Sequence, residues 1–120
     1  MKLIQVAQHA SDLDRAAEFY ASLLGRPPAA RFDPPGLLFF DLDGARLLLD
    51  ANAPSALLYL RVDDVAAEVA RLEAAGFEVV SAPHQIFSHT DDALGPAGTA
   101  EWQAFVRDSE GNLVGLVEWR

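Results

Sequence analysis

Residues Glu101–Trp119, EWQAFVRDSEGNLVGLVEW, decide how this chain folds. Trp102, Ala104 and Val106 alternate with Glu101, Gln103 and Phe105, the two-residue period of a strand. Asp108-Ser109-Glu110-Gly111-Asn112 follows, a set of polar turn formers around a glycine. Leu113-Val114-Gly115-Leu116-Val117 is then apolar on both parities, as in a strand covered on both faces. The stretch is therefore a closing hairpin. Gly115 is its anomaly, because glycine weakens a strand and marks close approach by a ligand or backbone. The plainer reading is a gap filled by a neighbouring aromatic ring.

Working outward, the same grammar appears twice. Leu3–His9 is a strand, and Ser11 or Asp12 is placed to cap a helix whose Leu13, Ala16, Tyr20, Leu23 and Leu24 form one apolar face. Gly25 and Pro27-Pro28 stop it. Three strands follow, Ala30–Phe32, Leu37–Leu42 and Ala45–Asp50, the last two joined by Asp43-Gly44, a strong hairpin signal. Leu57–Val62 then begins a second round. Asp63 or Asp64 caps a helix carrying Val65, Val69 and Leu72, Gly76 ends it, and Phe77–Val80 is a short strand. Asp12-Leu13 maps on Asp64-Val65 at an offset of 52, whereas Asp43-Gly44 maps on Glu110-Gly111 at 67. The second copy has gained about fifteen residues, which we place in an irregular segment, 82–98, of the kind that is functional or mobile in compact domains.

Composition bounds the function. The 120 residues suffice for one domain with a proper core, and 51% hydrophobic residues argue against disorder. A net charge of −9 argues against nucleic acid or an anionic membrane as partner. It favours a cationic ligand or simply solubility. There is no cysteine, hence no disulfide or thiolate chemistry. No apolar run reaches membrane-spanning length, and the opening Met1-Lys2-Leu3-Ile4 lacks a signal-peptide pattern, so a cytoplasmic location is expected.

The segments SDLDRAAEFYASLLG (11–25), DLDGARLLL (41–49), YLRVDDVAAEVARLEAAGFEV (59–79) and AFVRDSEGNLVGLVE (104–118) resemble the vicinal-oxygen-chelate superfamily, the glyoxalase/bleomycin resistance protein/extradiol dioxygenase family. The resemblance implies an α+β fold of two tandem βαβββ modules, with sheets curled around a cavity and helices outside. Residues 1–120 then form a single glyoxalase-like domain, module one 1–52 and module two 55–120, with a homodimer expected. The motifs are specific to the fold and not to a reaction.

In metal-using members the resemblance implies four inward-facing ligands, one on the first and one on the last strand of each module. Carried over, these positions are Gln5, a residue within Leu47–Leu49, Leu57 and Gly115. Only Gln5 offers a donor, so the usual metal centre is expected to be missing, with neither metal nor cofactor. The leading reading is binding of a small organic ligand by Gln5, His9, Leu57, Tyr59, Arg61, Trp102 and Gly115. Arg61 suits an anionic group. Alternatively, His9 and Arg61 pair locally with Asp12 or Asp64. The competing reading is a lyase, isomerase or dioxygenase with a non-standard metal or acid/base site at His84, His89 and Glu101, two histidines and a carboxylate being a Zn²⁺- or Fe²⁺-binding composition. A histidine on a solvated loop is the plainer account of both His84 and His89. Trp102 and Trp119 read first as packing residues, and Asp91-Asp92 as surface charges.

Overall fold

A computed structural model describes residues 1–120, and they form two compact units. Unit one comprises Met1–Ala56 with Ser109–Asn112; unit two comprises Leu57–Asp108 with Leu113–Arg120.

Unit one runs β1 (Gln5–His9), α1 (Leu13–Leu24), β2 (Ala30–Phe32), β3 (Leu37–Asp41) and β4 (Arg46–Asp50). Its four strands form a mixed sheet in the order β1-β4-β3-β2, with β1 parallel to β4 and the other pairs antiparallel. The helix begins where Asp12 Oδ1 accepts from the Arg15 amide, 3.0 Å away. It ends at Gly25, whose φ of 68° would strain any residue with a Cβ. Asp43 (φ 55°) and Gly44 (φ 112°) both take the left-handed conformation that a tight β3–β4 hairpin requires. Ala16, Phe19 and Tyr20 of α1 are buried, as are Leu38, Phe40, Leu47 and Leu49 on one face of the sheet. Edge-to-face contact of Phe19 with Tyr20, at 5.0 Å between centroids, consolidates this core.

One polar residue shares that buried face. Gln8 is 0% exposed, and neither its Oε1 nor its Nε2 has a hydrogen-bond partner.

Unit two repeats the plan with β5 (Leu58–Arg61), α2 (Val65–Ala74), β6 (Val79–Ser88), β7 (Ala100–Arg107) and β8 (Leu113–Trp119), in the order β5-β8-β7-β6. Here β5 and β8 are parallel, and the other pairs antiparallel. Asp64 caps α2 by accepting from the Ala67 amide, and Glu118 Oε2 accepts from the Val65 amide. Val65, Val69 and Leu72 of α2 are buried, as are Leu58, Ala104, Val106, Val114 and Leu116 on one face of the sheet. Each sheet is thus open, carries its helix on one face and does not close into a barrel; the βαβββ plan occurs twice. No helix is long and apolar enough to cross a membrane.

The irregular segment expected at 82–98 needs correction. Its first part is strand: β6 is ten residues long and continues to Ser88. Three register shifts against β7 break the alternation by which a strand is recognised, and Pro83 adds a misleading turn signal. Only 89–99 is loop. It is closed at its neck by the His89 amide donating to Thr99 O (2.8 Å) and the Gly98 amide donating to His89 O (2.9 Å). Asp91 and Asp92 are exposed as expected, but they also accept from the Ala93 and Ala97 amides, shaping the loop.

Within unit one, the fully buried carboxylate of Glu110 gathers the chain around the start of α1. It accepts from the backbone amides of Ser11 and Asp12 (3.0 Å each) and from Arg15, whose Nε is 2.6 Å away. Burial opposes ionisation, but the hydrogen bonds from Arg15, the Asp12 amide and Ser109 outweigh it and hold the pKa at about 2.

Two measurements follow. A carboxylate lowered on folding stabilises fully above its unfolded-state pKa of about 4.5, and that contribution, about 3 kcal/mol, disappears as pH falls toward about 2. Glu110→Gln should therefore flatten the decline of unfolding free energy over this pH window; an unchanged slope contradicts the assignment. Gln8→Met should stabilise the protein by about 1–2 kcal/mol, because it removes an unpaired buried amide at nearly constant volume. Denaturant titration reads this directly, and destabilisation would show that the amide is satisfied.

Candidate functional site

Strand register determines which side chains share the helix-free face of each sheet. In unit two, Tyr59 stands beside Gly115 and Gly115 beside Phe105; Arg61, Val117 and Gln103 form the next row, and Trp119 and Glu101 the one after. Opposite residues on paired strands project from the same face. This face carries aromatic rings at one end, a buried polar cluster at the other and a guanidinium near it.

The polar cluster centres on Glu101, only 8% exposed. Its Oε1 accepts from Trp119 Nε1 (3.1 Å) and lies 3.0 Å from His89 Nε2; its Oε2 accepts from Gln103 Nε2 (2.6 Å). A carboxylate only accepts, so His89 carries a proton on Nε2 and donates it. The His89 ring is also buried, 4.8 Å from Phe87 and 6.3 Å edge-on to Trp119. Gly95, from the 89–99 loop, closes the cluster: a Cβ there would lie 2.7 Å from His89 Cε1 and 3.1 Å from Trp119 Cε2. Residues of three strands and a loop tip thus make one closed network, with every acceptor oxygen of Glu101 engaged.

The three-residue set expected from His84, His89 and Glu101 does not assemble. His89 and Glu101 come together, but His84 is exposed, faces Gln103 across the ladder and bonds through Nδ1 to Ala82 O (2.9 Å). No three His, Cys, Asp or Glu side chains are grouped to hold a metal ion. Phe87, not His84, stands opposite Glu101, and His84 lies further along the ladder opposite Gln103.

Gly115 is not an open space. A Cβ added there would lie 2.8 Å from Tyr59 Cδ1 and 3.1 Å from Phe105 Cε1. The two rings meet edge to face at 5.7 Å over the glycine, and Tyr59 remains 54% exposed. Of the two readings offered for Gly115, close approach by a ligand or backbone and a gap filled by an aromatic ring, the contacts match the second. Leu57 lies outside β5 and is exposed.

Trp102 also needs correction. It pairs with Glu118, which serves the α2 cap, so it lies on the helix-bearing face, away from Gly115; Arg120 stacks on its ring at 4.3 Å. Arg61 behaves differently from either local expectation. It forms no ion pair with Asp64, and its guanidinium sits 5.1 Å from the Trp119 ring centroid.

In unit one the helix-free face carries Gln5, Ala7 and His9 beside Arg46, Leu48 and Asp50. Gln5 Oε1, the one oxygen expected to ligate, accepts instead from Arg46 Nε at 3.0 Å. Within Leu47–Leu49, Leu48 is the residue sharing its face. His9 is half-buried and forms no ion pair with Asp12; its amide donates to Ser55 Oγ and its carbonyl accepts from Asn112 Nδ2. A divalent cation requires several oxygen or nitrogen donors, and Gln5, Leu48, Leu57 and Gly115 supply one engaged amide oxygen. These residues do not fit the family's metal.

Gln103, Phe105 and Trp119 were missing from the expected site. Strand parity with Gly115 would have found Trp119, but cross-strand register was needed for the other two.

A family model described as Glyoxalase/Bleomycin resistance protein/Dioxygenase superfamily matches residues 2–116. Among solved structures, a lactoylglutathione lyase from Agrobacterium tumefaciens is 26% identical with a TM-score of 0.65, covering 98% of this chain and 92% of the other. TioX from Micromonospora sp. ML1 is 21% identical, with a TM-score of 0.68 and 98% of both chains covered. A superfamily member from Sphaerobacter thermophilus is 18% identical, with a TM-score of 0.73 and coverage of 98% and 97%. No curated protein matches the sequence.

The Tyr59–Gly115–Phe105 contact is testable by a double-mutant cycle. Gly115→Ala should cost about 1–3 kcal/mol by overpacking. In a Tyr59→Ala background the obstruction is removed, and the cost should fall by at least about 1 kcal/mol. Additive effects on unfolding free energy would contradict the close approach.

Proposed function

This chain belongs to the Glyoxalase/Bleomycin resistance protein/Dioxygenase superfamily, and from that membership we propose that it binds a small organic molecule, without a metal ion, on the helix-free face of its second sheet. The observation that carries the proposal is the exposed Tyr59 ring standing against Phe105 over Gly115. Where the family resemblance implies a metal-binding carboxylate, this chain presents aromatic surface. Large apolar groups exposed beside a few oriented polar ones are the composition of small-molecule sites.

The remaining residues support the same reading. Val117 extends the apolar row, Gln103 retains an amide oxygen as acceptor after its nitrogen bonds Glu101, and Arg61 supplies a cation. The closed Glu101–His89–Trp119 network fixes the far end of the face, so the site is held by rigid elements rather than by its ligand. One structural relative is a lactoylglutathione lyase. Its activity is not carried over, since the four ligand positions here do not form a donor set. The homodimer implied by the family resemblance is retained within this proposal.

The test is a thermal-shift screen of aromatic compounds, with and without chelator. A native-state ligand at a hundred times its Kd stabilises by about 2.7 kcal/mol. We expect hits whose effect is the same with and without EDTA and is lost in Tyr59→Ala. Stoichiometric Zn, Mn, Ni or Fe in the purified protein, with ligand response dependent on it, would overturn the proposal.

A further inference from the structure

We infer that the molecule bound on this face carries an organic carboxylate, held by Arg61, with its ring system over Tyr59 and Phe105. The inference rests on the site proposed above and specifies its ligand.

The eight arginines are not equally partnered. The chain holds eighteen Asp and Glu side chains against eight arginines, so a carboxylate partner is easily found. Six arginines have one: Arg15, Arg26, Arg31, Arg71, Arg107 and Arg120 are all ion-paired. Arg46 donates to the Gln5 amide oxygen. Arg61 alone is held only by a ring, at 5.1 Å over Trp119.

No acidic group of its own unit is ion-paired with it, and two of them are committed elsewhere. Glu101 has both oxygens engaged by His89, Trp119 and Gln103, and Asp64 is turned to the α2 cap. Trp119 is itself anchored through its indole N–H to Glu101. The guanidinium is thus oriented on a fixed platform while its forked N–H donors stay available, the geometry that suits a carboxylate.

Spacing adds the second part of the ligand. Tyr59 is two residues along β5 and on the same face, about 7 Å away at strand rise. A bicyclic aromatic acid spans that interval. The net charge of −9 opposes an anion at long range, but screening largely removes that repulsion beyond about 8 Å at physiological salt, whereas the guanidinium contact is direct.

The experiment uses three isosteric probes with the full chain: 2-naphthoate, 2-naphthamide and 2-naphthylmethylammonium, titrated calorimetrically. We expect naphthoate to bind about ten- to a hundredfold tighter than naphthamide, as hydrogen bonds to charged groups do, with the ammonium weakest. Arg61→Gln should abolish the naphthoate advantage and leave naphthamide binding in place. Arg71→Gln, the same change of charge on α2, should alter neither. Raising the salt concentration should shrink the naphthoate advantage in the unmodified chain. Equal binding of all three probes, preference for the ammonium, or a naphthoate preference that survives Arg61→Gln overturns the carboxylate inference while leaving the site standing. Failure of all three to bind overturns the site and the inference together.

Discussion

One register between two parallel strands sets what the second sheet presents. Tyr59 lies beside Gly115, and from that pairing Arg61 falls beside Val117. A slip of one residue would turn every β5 side chain to the other face, sending Tyr59 into the core and Leu58 into solvent. The register is fixed from both sides: Leu58, Val114 and Leu116 are buried on the helix-bearing face, while the Tyr59 ring requires a neighbour without a Cβ. The core face and the site face therefore specify the same alignment. A glycine in a strand costs stability, and here the edge-to-face pair of rings above it offsets part of that cost.

The polar cluster at the other end depends on a different device. Glu101 and Trp119 sit opposite each other on β7 and β8, but His89 reaches them only because β6 is bulged and then turns into the 89–99 loop. Burying a carboxylate is unfavourable unless its acceptor capacity is used, and three donors use it here. The network is accordingly better read as a rigid support than as a reactive dyad. Its outward product is the placement of Trp119, and through Trp119 of Arg61.

Much of the fold was legible in the sequence because its signals are local. Asp12 and Asp64 announce the helix starts, Gly25 one helix end, and Asp43-Gly44 a turn requiring two positive φ values. The repeat then assembles those local signals into two βαβββ rounds. What was not legible depends on contacts between strands. The bulges of β6 hid a strand inside an apparent insertion. Gly115 was visible as an anomaly, but the identity of the ring covering it followed from register rather than composition. Trp102 was misplaced for the same reason, since its partner Glu118 belongs to the helix-bearing face. Of the three residues grouped from the sequence, His89 and Glu101 are in contact, whereas His84 stands apart from them.

The loop tip at Gly95 has a consequence of another kind. The neck of the loop is tied by backbone bonds between His89 and Thr99 and between Gly98 and His89, which are indifferent to side-chain identity. Its interior shaping by Asp91 and Asp92 is local as well. Two loop positions engage the rest of the unit: His89 through Glu101, and Gly95 packed against the His89 and Trp119 rings. Substitution at either of these two positions is therefore constrained by what it touches. A loop of different length or charge exchanged for it would have to return a glycine to the same spot and a histidine to the neck.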